Sequence, residues 1–297
     1  MIEGYAAFND HRIGTAHISR GMVCEDYSLC FENSEMAVAV ISDGHGDRNC
    51  FRSARGSYIA CHAAVEQALK YHSPSEKMIS EIEKSILSEW KKNVIADCMA
   101  DPVREEELSD VSEEMAIAVR GGSRLLKAYG ATLIMAVFTK DFWYAVQIGD
   151  GRFVSVYDNG VYKQPIPWDD ERCVGNYSTS LCDDDAISEF RYACGSRLPL
   201  AVFMGSDGVD ESFDGDGLYK FYYMISNWYR YLPMPEFRRR LHELLGKVSA
   251  GGSADDVSVS GIVNFRKEIR LPGDAGKEKT YKIEHHKIDL TKKALPV

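Results

Sequence analysis

Residues 36–46 read Met-Ala-Val-Ala-Val-Ile-Ser-Asp-Gly-His-Gly. The apolar run up to Ser42 predicts a buried strand, because four to eight consecutive apolar residues bounded by turn residues are typical of a strand covered on both faces. Asp43-Gly44-His45-Gly46, directly after it, has the composition of a turn. This stretch therefore predicts a strand that ends on a carboxylate.

The same pattern recurs along the chain. Two further apolar strands end in Asp-Gly, at Asp150-Gly151 and Asp207-Gly208, while the acidic pairs Glu25-Asp26 and Asp255-Asp256 each precede a predicted strand. Any one of these dipeptides alone is more often a structural turn. If the strand ends meet, however, their carboxylates repel one another unless they are protonated or bridged by cations. Oxygen ligands without a His or Cys cluster favour Mg²⁺ or Mn²⁺.

Composition excludes several other classes of protein. The chain has 297 residues and a formal net charge of −10, which disfavours nucleic-acid binding and docking on anionic membranes. No apolar run reaches the roughly 18 residues needed to span a membrane, and the first residues do not resemble a signal peptide. The eight cysteines contain no C-x-x-C pair. We therefore expect free thiols and a cytoplasmic protein.

The order of elements indicates an α+β protein. Helical periodicity covers residues 49–72, 75–99, 217–230 and 234–247, whereas residues 1–35 look like strands with turns. The other predicted strands cover residues 131–138, 142–148, 153–157, 187–193, 200–205 and 257–265. Strands and helices do not alternate strictly, so we expect largely antiparallel sheets with helices packed outside.

The motifs together resemble the PP2C-type (PPM family) metal-dependent protein serine/threonine phosphatases. Each block alone is weak, but several blocks in the family's order, over about residues 10–264, are specific. Gly14-Thr15-Ala16-His17 together with Cys24-Glu25-Asp26 is most like a bacterial branch of the family. The other matching blocks are Asp43-Gly44-His45-Gly46, Gly130-Ala131-Thr132, Ile148 to Arg152, Ser206-Asp207-Gly208 and Ser253 to Ser258.

The resemblance implies a β-sandwich of two antiparallel sheets flanked by helices, in α-β-β-α layers. Residues 1–265 would form the phosphatase domain, with a flap-like insertion at about 164–186. Residues 266–297 would form a charged extension, which we expect to be a hairpin packed on the same domain.

The resemblance also implies the site. Asp43, the carbonyl of Gly44, Asp207 and Asp255 would hold two ions, Mn²⁺ or Mg²⁺. Glu25 and Asp26 would lie in or near the ligand set, and Asp150 would serve a third ion seen in many members. His45 would sit beside the leaving oxygen, where it could act as a general acid.

One position departs from the family pattern. Many members carry a phosphate-binding Arg four residues before the acidic pair, where this chain has Gly21. Arg20 could replace it if the strand is bulged, and His17 is a second candidate. A surface role for Arg20 is about as plausible. After Asp207, either Asp210 or Glu211 could face the third ion.

The implied function is hydrolysis of phosphoserine and phosphothreonine in proteins, by direct attack of a water activated by two metal ions. The expected partners are a phosphorylated protein and a cognate Ser/Thr kinase, and we expect a monomer. Two alternatives stay open. The chain could be a weakly active or inactive regulatory module that binds a phosphoprotein, which the absent Arg favours, or a hydrolase of small phosphoesters.

Overall fold

The computed structural model describes residues 2, 4–158, 160–167, 173 and 178–270. Within these residues, ten strands form two five-stranded sheets whose paired strands all run antiparallel. The strands are β1 (Tyr5–Arg12), β2 (Tyr27–Glu32), β3 (Met36–Ser42), β4 (Leu133–Thr139), β5 (Trp143–Ile148), β6 (Arg152–Val156), β7 (Tyr162–Lys163), β8 (Arg191–Gly195), β9 (Ala201–Gly205) and β10 (Val257–Asn264).

The helices of the described residues flank these sheets. They are α1 (Thr15–Arg20), α2 (Ser53–Ala68), α3 (Ile79–Ala100), α4 (Glu113–Arg120), α5 (Leu125–Ala128), α6 (Ala186–Glu189), α7 (Asp207–Asp210), α8 (Gly217–Tyr231) and α9 (Met234–Gly251). Short 3₁₀ turns lie at Glu76–Met78 and Glu105–Leu108.

The two sheets stack face to face and make a four-layer sandwich. One sheet has the order β1-β10-β9-β6-β7 and the other β2-β3-β4-β5-β8. Strand β3 is apolar throughout because both of its faces are buried. Ala37, Ala39 and Ile41 belong to the core between the sheets, whereas Val38 and Val40 belong to the core beneath α2 and α3. Successive side chains point to opposite faces, so a strand covered on both sides needs a continuous apolar run.

The second sheet is covered in the same way by α8 and α9. Val259 and Val263 of β10 pack with Phe221, Leu241 and Leu245 from these helices. The predicted α+β sandwich of two antiparallel sheets with flanking helices is therefore confirmed. All eight cysteines are free thiols. None of the helices in the described part of the chain is both long and apolar enough to span a membrane.

Two local predictions were wrong. Residues 15–20 form helix α1 instead of part of a strand, and Gly21 ends that helix with a φ of 70°. Such a left-handed conformation costs glycine little but strains other residues, so the position assigned to the family Arg is a helix terminus here. The strand predicted at 187–193 is split, because Ala186–Glu189 forms a short helix and the strand begins only at Arg191.

Other predictions cannot be compared with the structure in full. Part of the flap-like insertion, residues 168–172 and 174–177, lies outside the described residues, as do residues 271–297 of the predicted C-terminal hairpin. The hairpin predicted at Asp158-Asn159-Gly160 joins β6 to β7, although Asn159 itself is not described.

Close packing of α2 on the site side of the sandwich generates a stability prediction. A Cβ atom at Gly56 would overlap the carbonyl oxygen of Tyr129, and the carbonyl of Gly56 accepts a hydrogen bond from Trp90 Nε1 at 3.1 Å. We expect Gly56→Ala to lower the free energy of unfolding by about 2–3 kcal/mol, because the helix must move away from its neighbour. Urea unfolding followed by circular dichroism measures the change.

The matched control is Gly121→Ala. A Cβ atom there would meet its nearest neighbours at 3.4 and 3.5 Å, which is ordinary contact. We expect this variant to stay within about 0.5 kcal/mol of the wild type. Equal effects of the two substitutions would contradict the packing argument.

Candidate metal centre

The turn after β3 is fixed by the Gly130-Ala131-Thr132 segment. The backbone N–H of Asp43 donates to Thr132 Oγ1 at 3.0 Å, and the N–H of Thr132 donates to the carbonyl of Asp43 at 2.8 Å. Gly44 forms an isolated antiparallel bridge with Ala131. These contacts hold the Asp43 side chain at the end of its strand and explain why the two sequence blocks occur together.

The acidic pair before β2 is attached to the same turn. The N–H of Gly44 donates to the carbonyl of Glu25 at 3.1 Å, and Ser57 Oγ donates to the same carbonyl at 2.5 Å. Ser53 Oγ donates to Glu25 Oε1 at 2.6 Å. A Cβ atom at Gly44 would lie 2.7 Å from the Glu25 carbonyl oxygen, so only glycine permits this approach. Helix α2 thus anchors Glu25 through serines of its first two turns.

Asp256 ties the last block of the chain to the first. Its side chain is 4% exposed and accepts hydrogen bonds from the N–H of Gly14 and the N–H of Glu25, both at 2.6 Å. A Cβ atom at Gly208 would overlap the Asp256 carbonyl oxygen, which shows how tightly α7 packs against this segment. The neighbouring Asp255 is left with half of its side chain exposed. Asp256 therefore positions the segment. Asp255 accepts the N–H of Asp256 on Oδ1 at 2.8 Å and presents a half-exposed carboxylate to the site.

Asp26 is a buried carboxylate that hydrogen bonds compensate poorly: Ser206 and Asp43 lower its pKa, but by less than burial raises it. It is 3% exposed, and neither side-chain oxygen has a hydrogen bond of ordinary geometry among the described residues. Burial raises its pKa well above the usual value, and the charges of Asp256 and Asp207 raise it further. A buried carboxylate so poorly compensated by donors is costly unless a proton or a cation neutralises it.

The pKa values of Asp43 and Asp207 are also raised by burial and by neighbouring carboxylates. Burial raises the pKa of Asp43 well above its usual value, and the charges of Asp26 and Asp207 add to the effect. The pKa of Asp207 is raised to about 6, first by burial and then by the charges of Asp150 and Asp255. The structure therefore brings the carboxylates of Asp26, Asp43, Asp207 and Asp255 together, with Asp150 close enough to act on them. The donor set, and the buried oxygens that lack partners, fit divalent cations.

His45 follows Gly44 and is largely enclosed. Its N–H donates to the carbonyl of Gly130 at 3.1 Å. Burial lowers the pKa of its ring to about 4, and the charge of Lys127 lowers it further, whereas Asp150 acts in the opposite direction. A Cβ atom at Gly130 would contact His45, Cys50 and Cys182, so the imidazole packs beside two thiols.

Arg20 differs from the other residues predicted for the site. It is exposed at the last position of α1, and within the described part of the chain it forms no ion pair with the clustered carboxylates. His17, on the same helix, is buried and lies beside Glu25, Asp255 and Asp256. Of the two residues weighed as replacements for the family Arg, only the histidine is in contact with the site.

Two features of the site were not predicted from the sequence. Asp210 forms a bidentate pair with Arg152, with donor–acceptor distances of 3.1 and 2.5 Å. That pair engages both oxygens of Asp210. The resemblance assigned a ligand role to Asp255 and no role to Asp256. No sequence signal indicated that Asp256 would bind the backbone N–H groups of Gly14 and Glu25.

Comparison with known proteins identifies the family of this chain. The family model for protein phosphatase 2C matches residues 13–246, so the chain belongs to the protein phosphatase 2C family. The matched range ends before Asp255 and Asp256, which the fold brings to the site. No curated protein matches the sequence.

Several solved structures share the fold at low sequence identity. PppA, a key regulatory component of T6SS in Pseudomonas aeruginosa, is 16% identical with a TM-score of 0.54, covering 88% of this chain and 98% of that one. The catalytic domain of the serine threonine protein phosphatase PstP, in complex with two manganese ions, is 17% identical with a TM-score of 0.51, covering 87% and 96%. A serine/threonine phosphatase of S. agalactiae is 14% identical with a TM-score of 0.53, covering 87% and 99%.

The poorly compensated carboxylate of Asp26 generates a prediction for the metal-free protein. We expect Asp26→Asn to raise the free energy of unfolding in EDTA by about 1–3 kcal/mol at pH 7.5, because it removes a buried charge that hydrogen bonds compensate poorly. Folding raises the pKa of this carboxyl, so the wild type loses stability as the pH rises above about 4. The difference between variant and wild type should therefore widen from pH 5 to pH 8 in thermal unfolding.

In saturating Mn²⁺, we expect the wild type to have a higher free energy of unfolding than Asp26→Asn. An ion at one hundred times its dissociation constant stabilises the folded state by about 2.7 kcal/mol, and the variant lacks one candidate ligand. Asp141→Asn, at an exposed position between β4 and β5, is the control and should match the wild type throughout. Lower stability of Asp26→Asn than of wild type in EDTA would contradict the electrostatic argument.

Proposed function

We propose that this protein is a divalent-metal-dependent phosphatase that hydrolyses phosphoserine and phosphothreonine in other proteins. The observation that carries the proposal is the convergence of Asp26, Asp43, Asp207 and Asp255 from four separate segments. The pKa values of Asp26, Asp43 and Asp207 are raised by burial and by the charges of neighbouring carboxylates. Structural proteins rarely concentrate buried carboxylates without compensating cations. Membership of the protein phosphatase 2C family supports the reaction class.

The residues in place fit two Mn²⁺ or Mg²⁺ ions. Asp43, the carbonyl of Gly44, Asp207 and Asp255 would hold the pair, Glu25 and Asp26 would complete the ligand set, and Asp150 would serve a third ion. When bound, such ions activate a water for attack on phosphorus and neutralise charge on the phosphoryl oxygens. The two manganese ions bound to PstP, which shares the fold, support this assignment.

Side chains around the proposed metal centre would hold its ligands in position for the reaction. Ser53 occupies Glu25 Oε1 and leaves Oε2 for the ion, while the Thr132 contacts fix the backbone of Asp43. Asp256 uses both oxygens on backbone N–H groups and so sets the position of Asp255. His45 stays the candidate proton donor to the departing Ser or Thr oxygen, as the resemblance implied. Because the pKa of its ring is lowered to about 4 in the metal-free protein, this role requires that the bound phosphate raise that pKa.

The regulatory-module alternative has one observation in its favour. Gly21 stands at the family's Arg position, and Arg20 is exposed at a helix end. A phosphate bound at the metals would then lack a guanidinium partner unless Arg20 reaches it. We retain Arg20 as a proposed phosphate contact, and propose a cytoplasmic monomer whose partners are phosphoproteins and a cognate Ser/Thr kinase.

The test is Mn²⁺-dependent release of phosphate from a phosphothreonine peptide and from p-nitrophenyl phosphate. We expect turnover by the wild type, and loss of at least about 100-fold in Asp207→Asn, because the substitution removes a carboxylate ligand from the charge-stabilising centre. Asp141→Asn is the matched control and should retain full activity. Thermal unfolding of each variant verifies that it is folded.

The outcomes separate the candidate functions. Turnover of both substrates, with the peptide competing against p-nitrophenyl phosphate, supports the protein phosphatase. Turnover of small esters alone indicates a small-phosphoester hydrolase. Absence of turnover in wild type that binds Mn²⁺ by calorimetry would overturn the enzyme assignment and favour the regulatory module.

A further inference from the structure

Helix α1 carries a histidine into the acidic cluster. His17 is 8% exposed, and its helix is attached to the segment before β10 by three backbone donors. The N–H of Gly14 donates to Asp256 Oδ1, the N–H of Ala16 to the carbonyl of Ala254 at 2.9 Å, and the N–H of Thr15 to Ser249 Oγ at 3.2 Å. The imidazole is therefore held in place by backbone contacts.

The distances around its ring are those of ligands that share one ion. His17 Nε2 lies 3.7 Å from Asp255 Oδ1 and 3.9 Å from Glu25 Oε2. Ligand atoms about 2.1 Å from a common ion lie roughly 3–4 Å from one another. His17 and Asp255 also belong to a set, completed by Asp256, whose ligand atoms all lie within 4.8 Å of each other, and Glu25 lies beside this set through its 3.9 Å contact with His17.

Independent observations point to a missing cation at this position. Glu25 Oε2 is buried and has no hydrogen-bond partner among the described residues, although Oε1 of the same carboxylate is bound by Ser53. On the other side of the ring, His17 Nδ1 lies 3.0 Å from Asp256 Oδ2, so this nitrogen faces a carboxylate while Nε2 lies nearest to Asp255 and Glu25. A carboxylate beside the second ring nitrogen is the usual environment of a metal-bound histidine.

We propose that His17 Nε2 is a nitrogen ligand of the divalent ion held by Glu25 and Asp255, and that it makes this centre selective for Mn²⁺ and other transition ions over Mg²⁺. Imidazole binds transition ions well, whereas Mg²⁺ prefers oxygen ligands almost exclusively. The inference rests on the proposed metal centre, and it replaces the all-oxygen ligand set expected from the sequence with a mixed one.

Pulsed electron paramagnetic resonance of the Mn²⁺-loaded full-length protein tests the bond directly. We expect ¹⁴N modulation from a coordinated imidazole, which changes to the ¹⁵N pattern when the protein is made with ¹⁵N-histidine. The modulation should disappear in His17→Gln and persist in His45→Gln and His11→Gln, because His45 is the other histidine predicted for the site and His11 lies near Asp256. If His17→Gln does not fold, the isotope exchange together with these two variants still excludes the alternative imidazoles of the site.

Calorimetry supplies the second readout. We expect His17→Gln to lower the affinity for Mn²⁺ by about tenfold or more while changing the affinity for Mg²⁺ by less than about threefold. Mn²⁺ bound without histidine modulation, or modulation that survives His17→Gln, would overturn the proposal, because His17 would then be only an ion-pair partner of the carboxylates.

The two proposals can fail separately. Histidine modulation without phosphatase turnover would support the nitrogen ligand and overturn the enzyme assignment. Turnover with bound Mn²⁺ but without the modulation would support the enzyme assignment and overturn the nitrogen ligand. Failure of Mn²⁺ to bind would overturn both.

Discussion

Mutual repulsion of carboxylates is the constraint on which this structure depends. Asp26, Asp43 and Asp207 come from separate segments and meet where burial already disfavours their charge, with the exposed Asp255 beside them. Backbone donors and short side chains hold the cluster: Thr132 fixes Asp43, Ser53 and Ser57 fix Glu25, and Asp256 receives two N–H groups. The metal-free scaffold thus carries an unfavourable electrostatic energy that cation binding would relieve.

The sandwich makes this arrangement possible because its core is independent of the site. Small side chains such as Ala37, Ala39 and Ala136 fill the space between the sheets, and large apolar side chains seal both outer faces against helices. The stability of the layers comes from burial of apolar area, which is large for a domain of this size. A local excess of negative charge at the strand ends can therefore be tolerated.

The sequence was sufficient for the parts that follow simple periodicity. The apolar run before Asp43 predicted β3, and the recurrence of Asp-Gly predicted that carboxylates would meet, as the structure shows. It was insufficient at residues 15–20, where six residues carry too little periodicity to distinguish a helix from a strand, and where tertiary contacts to Ala254 and Ser249 decide the outcome. His17 consequently looked like a substitute for an arginine and not like a possible metal ligand.

The contact of Asp256 with Gly14 joins positions 242 residues apart, and its contact with Glu25 joins positions 231 apart. Contacts so distant in sequence require nearly the whole chain to be present and ordered. During synthesis, most of the ligand carboxylates leave the ribosome long before the segment that orients them. The proposed metal binding would thus be available only to a nearly complete domain, and a truncated chain would retain the acidic residues without the site.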